Sequence, residues 1–164
     1  GLRRVAIWNR SPARAEALAG RLAARLPVEV TAAPDLEAAV RGADAISTAT
    51  MAVEPVIRGE WLAPGVHLDL FGAYRPDMRE ADDEVLRRGR LFVDARATTV
   101  HEIGELMIPL AAGAVGEGDV LAEHRDLAQG AEGRRSAEEI TVFKNGGGAH
   151  LDLMTARFLL DRAG

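Results

Sequence analysis

The sequence predicts an α/β fold in which a parallel sheet is covered by helices on both faces. Three observations predict it. Short apolar runs compatible with β-structure alternate with amphipathic helical stretches along the chain. The run at 66–71 is mostly apolar, as in a strand buried on both faces of a parallel sheet. The loop after it crowds Tyr74, Arg75, Asp77, Arg79 and Glu80 between and beyond Gly72 and Pro76. That loop leaves the strand's carboxyl end, the edge where ligands bind in open α/β sheets.

In chain order, residues 5–8 form an apolar strand. Ser11-Pro12 then starts a helix: the serine oxygen can cap free N–H groups, and proline at the first helical position gives up an N–H that would be unpaired anyway. The helix runs to about Leu26, with Ala15, Leu18, Ala19, Leu22 and Leu26 as its buried stripe, and Pro27 ends it. Residues 28–31 make a second strand. A short helix from Pro34-Asp35 to Val40 follows and stops at Gly42. Residues 43–48 form a third strand, and 49–55 a loop of small and hydroxyl residues. After the strand at 66–71 come a helix over 79–88, a strand over 91–94 and a helical segment over 98–110. Residues 113–135 are glycine-rich and polar around a short helix at 121–128, which reads as surface connection. Ser136 to Glu139 resembles a capping box, yet it leads into a β-branched strand at 140–143. Gly146, Gly147 and Gly148 break the chain before a final helix over 150–162. No repeat period competes with this reading.

Bulk properties limit the function. The length, 164 residues, suits one domain, and 48% hydrophobic content is enough for one core. A net charge of -5 offers no long-range attraction to nucleic acid or to an anionic membrane. The chain has no cysteine, and His67, His101, His124 and His150 lack close ligand spacing, so no metal site is expected. No apolar run is long enough for a membrane span and no leader pattern is present, which makes the cytoplasm the default expectation.

At the end of the first strand stand Asn9, Arg10 and Ser11, followed by Arg14. In a dinucleotide-binding fold this is where the adenosine ribose lies. A carboxylate here would accept from the 2'-hydroxyl and select NAD, whereas arginines pair with a 2'-phosphate. The carboxylate is missing and two arginines are present, so NADP is the expected cofactor and NAD the second choice. The alternative for both arginines is plain solvated charge. The G-x-G-x-x-G turn that would hold a pyrophosphate is not found, and Gly146 to Gly148 lack its spacing.

Four separated blocks then carry a resemblance. Asn9-Arg10-Ser11, the stretch Ala43-Asp44-Ala45-Ile46-Ser47-Thr48-Ala49-Thr50 with Glu54-Pro55, the stretch 72–80, and Ile140-Thr141-Val142-Phe143-Lys144-Asn145-Gly146-Gly147 resemble the ornithine cyclodeaminase/mu-crystallin family in the correct order. The resemblance covers nearly the whole chain. It implies a Rossmann-type domain over 1–148, lacking its first strand and glycine-rich phosphate loop, and a segment over 149–164 returning toward a substrate and dimerisation domain. It further implies that Thr48, Ala49, Thr50 and Met51 line the nicotinamide and ribose side, and that Asn145 and Gly147 approach the nicotinamide from the last strand. Gly72, counted with the cofactor-binding residues, opens the substrate-side loop.

The cyclodeaminase branch carries an aspartate two residues after the glycine matching Gly72, and this chain has Tyr74. A phenol is neutral near pH 7 and cannot offer the same charge to an ammonium group. The departure favours the family's reductases of cyclic imino acids such as Δ1-pyrroline-2-carboxylate, with Tyr74 as the candidate catalytic side chain and Asp77, Arg79 and Glu80 holding the loop through ion pairs and a helix start. The implied partners are a small imino or amino acid and, in an intact homodimer, a second copy. Ornithine cyclodeamination, an NAD-dependent amino-acid dehydrogenase and a non-catalytic binding module are the other expectations.

Overall fold

A computed structural model of the chain describes residues 1–163; Gly164, the last residue of the expected returning segment, and the side chains of His150 and Ala163 lie outside the described residues. Strands and helices alternate, and every strand pair is parallel. The chain divides into two units, Gly1–Ala43 and Asp44–Gly164.

In the first unit, β1 (Arg4–Ile7) pairs with β2 (Glu29–Ala32), with Arg4 opposite Glu29 and Ile7 opposite Ala32. Between them, α1 (Pro12–Ala23) buries Ala15 and Ala19. The expected stripe is narrower than the sequence suggests, because Leu18 and Leu26 are exposed. The helix also stops before Leu26: the amides of Arg25 and Leu26 both donate to the carbonyl of Leu22, which closes a turn in place of another helical residue. In α2 (Leu36–Arg41), Asp35 caps the amide of Ala38 at 2.7 Å, Arg41 pairs with Glu37 one turn back, and Val40 is buried.

The second unit holds a five-stranded sheet in the order β3-β4-β7-β5-β6, formed by β3 (Ala45–Thr48), β4 (His67–Leu70), β5 (Arg90–Val93), β6 (Val120–Glu123) and β7 (Thr141–Lys144). The central strands explain their apolar sequences. Leu68, Leu70, Leu91, Val93 and Val142 are almost completely buried, each contributing on the order of 1.5–3 kcal/mol relative to exposure. The helices of this unit are α3 (Asp83–Arg88), α4 (Arg96–Thr99), α5 (Gly104–Ala111), α6 (His124–Ala128) and α7 (Ala149–Ala163).

Three expectations change here. The helix expected from residue 79 begins at Asp83, because Asp82 is the cap, accepting from the amides of Val85 and Gly59. The segment over 98–110 is two helices, α4 and α5, broken where the amide of Gly104 turns to the carbonyl of Arg75. Residues 120–123, expected in a surface connection with a helix from 121, form β6 on the sheet's edge, and only 124–128 is helical. Alternating burial along β6, with Val120 and Ala122 inside, is the strand period that short length concealed. Among the described residues, no helix is long and apolar enough to cross a membrane.

Candidate functional site

The loop leaving β4 is fixed at nearly every residue. Ala73, Met78 and Ile103 form a small buried cluster beneath it. The carbonyl of Ala73 accepts from Lys144 Nζ at 2.7 Å, and the carbonyl of Arg75 accepts from the amides of Met78 and Gly104. The amide of Arg79 donates to the carbonyl of Ala52. Tyr74, by contrast, is 56% exposed. The structure therefore presents one phenol from a loop whose neighbouring positions are clamped.

The charged residues of the loop divide by role. Arg75 grips Asp77 through two bonds of 2.9 Å, which holds the Asp77 carboxyl below the usual aspartate range. Arg79 pairs with Asp83 at 2.8 Å and donates to the carbonyl of Ala81. Glu80 departs from the expectation of ion pairs or a helix start. Its side chain is completely buried. Oε2 accepts from Thr48 Oγ1 at 2.7 Å and from the Gly72 amide at 2.7 Å, and Oε1 accepts from the Thr50 amide at 2.5 Å.

This arrangement brings together the candidate residues after β3 and β4. Thr48 is buried, with its hydroxyl turned to Glu80. Ala49 and Met51 are exposed and Thr50 is half-buried. Gly72 is required by space: a Cβ there would lie 2.0 Å from the carbonyl oxygen of Thr50. Phe71 and Met51 expose their side chains where these two loops leave the sheet. The shelf so formed is apolar and small-residue-rich, the chemistry that suits one face of a planar heterocycle.

From the neighbouring central strand, the buried Asn145 accepts from the Gly147 amide at 2.7 Å. Gly147 has φ +74°, with open space where a Cβ would stand. Asp94 fixes the glycine run: it accepts from Thr99 Oγ1 at 2.6 Å and from the amides of Ala95, Gly146 and Gly148. Burial pushes the Asp94 carboxyl up, but those hydrogen bonds outweigh it and hold it below its ordinary value.

Beneath the site lies a group of buried charges that sequence reasoning missed. Lys144 Nζ donates to the carbonyls of Leu70, Ala73 and Asn145 at 3.1, 2.7 and 2.7 Å. Burial pushes its ammonium below lysine's usual value, against the pull of Glu105, Glu80, Asp94 and Asp69. Glu105 accepts from the amides of Glu80 and Ala81 at 2.7 and 2.9 Å, and burial pushes its carboxyl up to about 7 against those bonds and Lys144. Among the described residues, no buried side-chain nitrogen or oxygen lacks a hydrogen bond, so this polar interior supports the loops above it. The signal was present in the sequence. Asp94 and Lys144 each end an apolar strand, and Glu105 stands at the start of the apolar helix α5.

In the first unit, Asn9 Oδ1 accepts from the Ser11 amide at 2.8 Å, and the Ser11 carbonyl accepts from the amides of Arg14 and Ala15. The expected serine cap is therefore absent: the Ser11 side chain makes no capping bond. The side chain that shapes this entry is instead Asn9, which closes a turn onto the Ser11 amide two residues on. Arg10 and Arg14 are exposed, and among the described residues neither forms an ion pair. Two guanidinium groups at the carboxyl end of β1 and the start of α1 are a donor set that fits a phosphate.

A model of the ornithine cyclodeaminase/mu-crystallin family matches residues 1–164. The chain belongs to that family. It is 52% identical over 160 residues to a Δ1-pyrroline-2-carboxylate reductase of Paracoccus denitrificans, covering 97% of this chain and 50% of that protein. It is 38% identical over 157 residues to the ketimine reductase mu-crystallin of Mus musculus, covering 96% of this chain and 46% of the relative. Among solved structures, the Thermococcus litoralis Δ1-pyrroline-2-carboxylate reductase in complex with NADH and L-proline superposes with a TM-score of 0.94 at 31% identity, over 98% of this chain and 50% of that one. The chain thus spans about half the length of the family members it matches.

Proposed function

We propose that this chain forms most of the nicotinamide-dinucleotide domain of a reductase for small cyclic imino acids of the Δ1-pyrroline-2-carboxylate type, with NADPH as the preferred reductant and NADH as the second. The observation that carries the choice of reaction is the sorting of carboxylates in the loop 72–80. Glu80 is turned inward and buried, the exposed Asp77 is gripped by Arg75, and Tyr74 presents an exposed phenol. The loop offers no free carboxylate to a substrate ammonium group, and it suits a ring carrying an imine better than the side chain of ornithine. Similarity to a reductase solved with NADH and L-proline supports the reaction class and a nicotinamide cofactor.

When bound, the reduced nicotinamide supplies the hydride for the C=N carbon. The chain's own residues orient and exclude. Arg10 and Arg14 would pair with the 2'-phosphate. Ala49, Thr50 and Met51, with Asn145 and Gly147, would face the cofactor, Thr48 backing them through Glu80. Gly72 to Tyr74 would shape the substrate side, where the phenol donates a hydrogen bond. The segment 149–164 would carry its exposed Leu153, Met154, Phe158, Leu159 and Leu160 to the substrate and dimerisation domain of a homodimer.

The test is reduction of Δ1-pyrroline-2-carboxylate by the full-length protein with NADPH and with NADH, followed by loss of reduced-nicotinamide absorbance and by appearance of proline. Imine-dependent oxidation, faster with NADPH, is expected. Consumption of ornithine without imine reduction would replace the reading with cyclodeamination.

A further inference from the structure

Glu80 joins more of the site than any residue that faces it. Its carboxylate binds the end of β3 through Thr48, the loop beyond it through Thr50 and the exit of β4 through Gly72. Its amide donates to Glu105 Oε2 on α5, and its carbonyl accepts from the amides of Val56 and Ile57 at 2.9 Å each. The chain sections carrying Met51, Phe71 and Tyr74 therefore diverge from one buried point.

We infer that Glu80 is a positioning residue, which sets the separation of the Thr50 and Gly72 backbones and so the spacing between the cofactor-facing and substrate-facing loops. This rests on the function proposed above. The chemistry requires a carboxylate. Its three bonds come from two amide N–H groups and one hydroxyl, and the amides approach different oxygens. A glutamine of the same size has one oxygen and one NH2 group. In either orientation its NH2 would face an amide N–H, Thr50 in one and Gly72 in the other, and two donors would meet in a buried place. An aspartate is a methylene too short to reach both loops. Gly72 stands so close to Thr50 that even a Cβ would collide with it, so the spacing of these two backbones is held tightly and a change at Glu80 acts on it directly. Displacements of about 1 Å in positioning elements lower rates by about 100-fold.

The experiment uses the full-length protein and the variants E80Q and T48V, the second removing one donor while leaving the carboxylate in place. Amide hydrogen exchange at Thr50 and Gly72, dissociation constants for NADPH and NADH, and the kcat and KM for imine reduction are measured well below the melting temperature. We expect E80Q to lose protection at both amides, weaken nucleotide binding about tenfold or more and lower kcat by a similar factor, with imine KM within about threefold. T48V moves the same way by less, and T48S, which restores the hydroxyl, recovers it. Should E80Q not fold, the T48V and T48S pair decides. Protected amides with unchanged nucleotide affinity and kcat in the variants would overturn the inference. Wild-type protein that binds nucleotide without reducing the imine would sink the proposed reaction, and Glu80 would then stand or fall on exchange and affinity. Wild-type protein that binds no nucleotide would overturn both.

Discussion

Lys144 donates to the carbonyl of Ala73 at 2.7 Å, so a lysine on the central strand of the sheet holds the residue next to Tyr74. The ammonium is fully buried and also satisfies the carbonyls of Leu70 and Asn145. Lys144→Met keeps the unbranched shape of the side chain, one heavy atom shorter, and removes every donor. The carbonyls of Ala73 and Asn145 lose the ammonium, that of Leu70 keeps only the Asn145 amide, and the buried Glu80 and Glu105 lose their nearby cation, so destabilisation of about 3–5 kcal/mol is expected in chemical denaturation. A loss below about 1 kcal/mol would mean that water replaces the ammonium.

Glu105 makes stability depend on pH. Its carboxyl titrates at about 7 when folded, raised by burial from an ordinary value of 4.5. Between those values the folded protein binds the proton more tightly than the unfolded chain. The associated stability, on the order of 3 kcal/mol, is present in full below the unfolded value and is lost as pH rises through the folded one. Unfolding free energies measured across this range should fall with pH, then level off. In Glu105→Gln the decline should shrink by about that amount; a decline of equal size would assign it to another group.

Gly72 and Gly147 separate crowding from backbone strain. At Gly72 a methyl group would collide with Thr50, whereas at Gly147 it meets nothing but requires φ +74°. Gly72→Ala should cost about 2–5 kcal/mol, in the range of severe overpacking. Gly147→Ala should cost about 1–2 kcal/mol, the left-handed penalty of a residue with a Cβ. Thermal melts of the two variants rank these effects, and equal losses would contradict the close approach of Gly72 to Thr50.

Arg10 and Arg14 should discriminate between the two nucleotides. Each charge-assisted contact with a 2'-phosphate is worth about 1.5–3 kcal/mol. Arg10→Ala and Arg14→Ala should each weaken NADPH binding about tenfold or more while NADH binding changes little. Calorimetric titration with both nucleotides measures this, and equal weakening of both would move the arginines' role to the shared diphosphate.

The sequence announced most strands and the loop 72–80, because apolar runs and punctuation by Gly72 and Pro76 are local signals. It misplaced what depends on partners in space. Glu80 has the helix-start neighbourhood that sequence logic favours, yet its three hydrogen-bond donors come from positions 48, 50 and 72. The helix over 98–110 breaks at Gly104 because Arg75 supplies the acceptor, and β6 exists because β5 lies beside it. The partners of Lys144 were likewise invisible: a charge ending an apolar strand signals burial, but its three acceptors are backbone carbonyls, which every residue possesses.

The strand order carries a consequence for synthesis. β7 follows the other four strands of its sheet in the chain, yet it lies between β4 and β5, and His67 and Thr141, which face each other across β4 and β7, are 74 positions apart. Until residues 141–144 leave the ribosome, the five-stranded sheet can exist only as two ribbons, β3 with β4 and β5 with β6, and the inner edges of β4 and β5, which carry Leu68, Leu70, Leu91 and Val93, stay unpaired. Those edges are the surface a holdase chaperone would bind during translation, and a single late strand removes both at once.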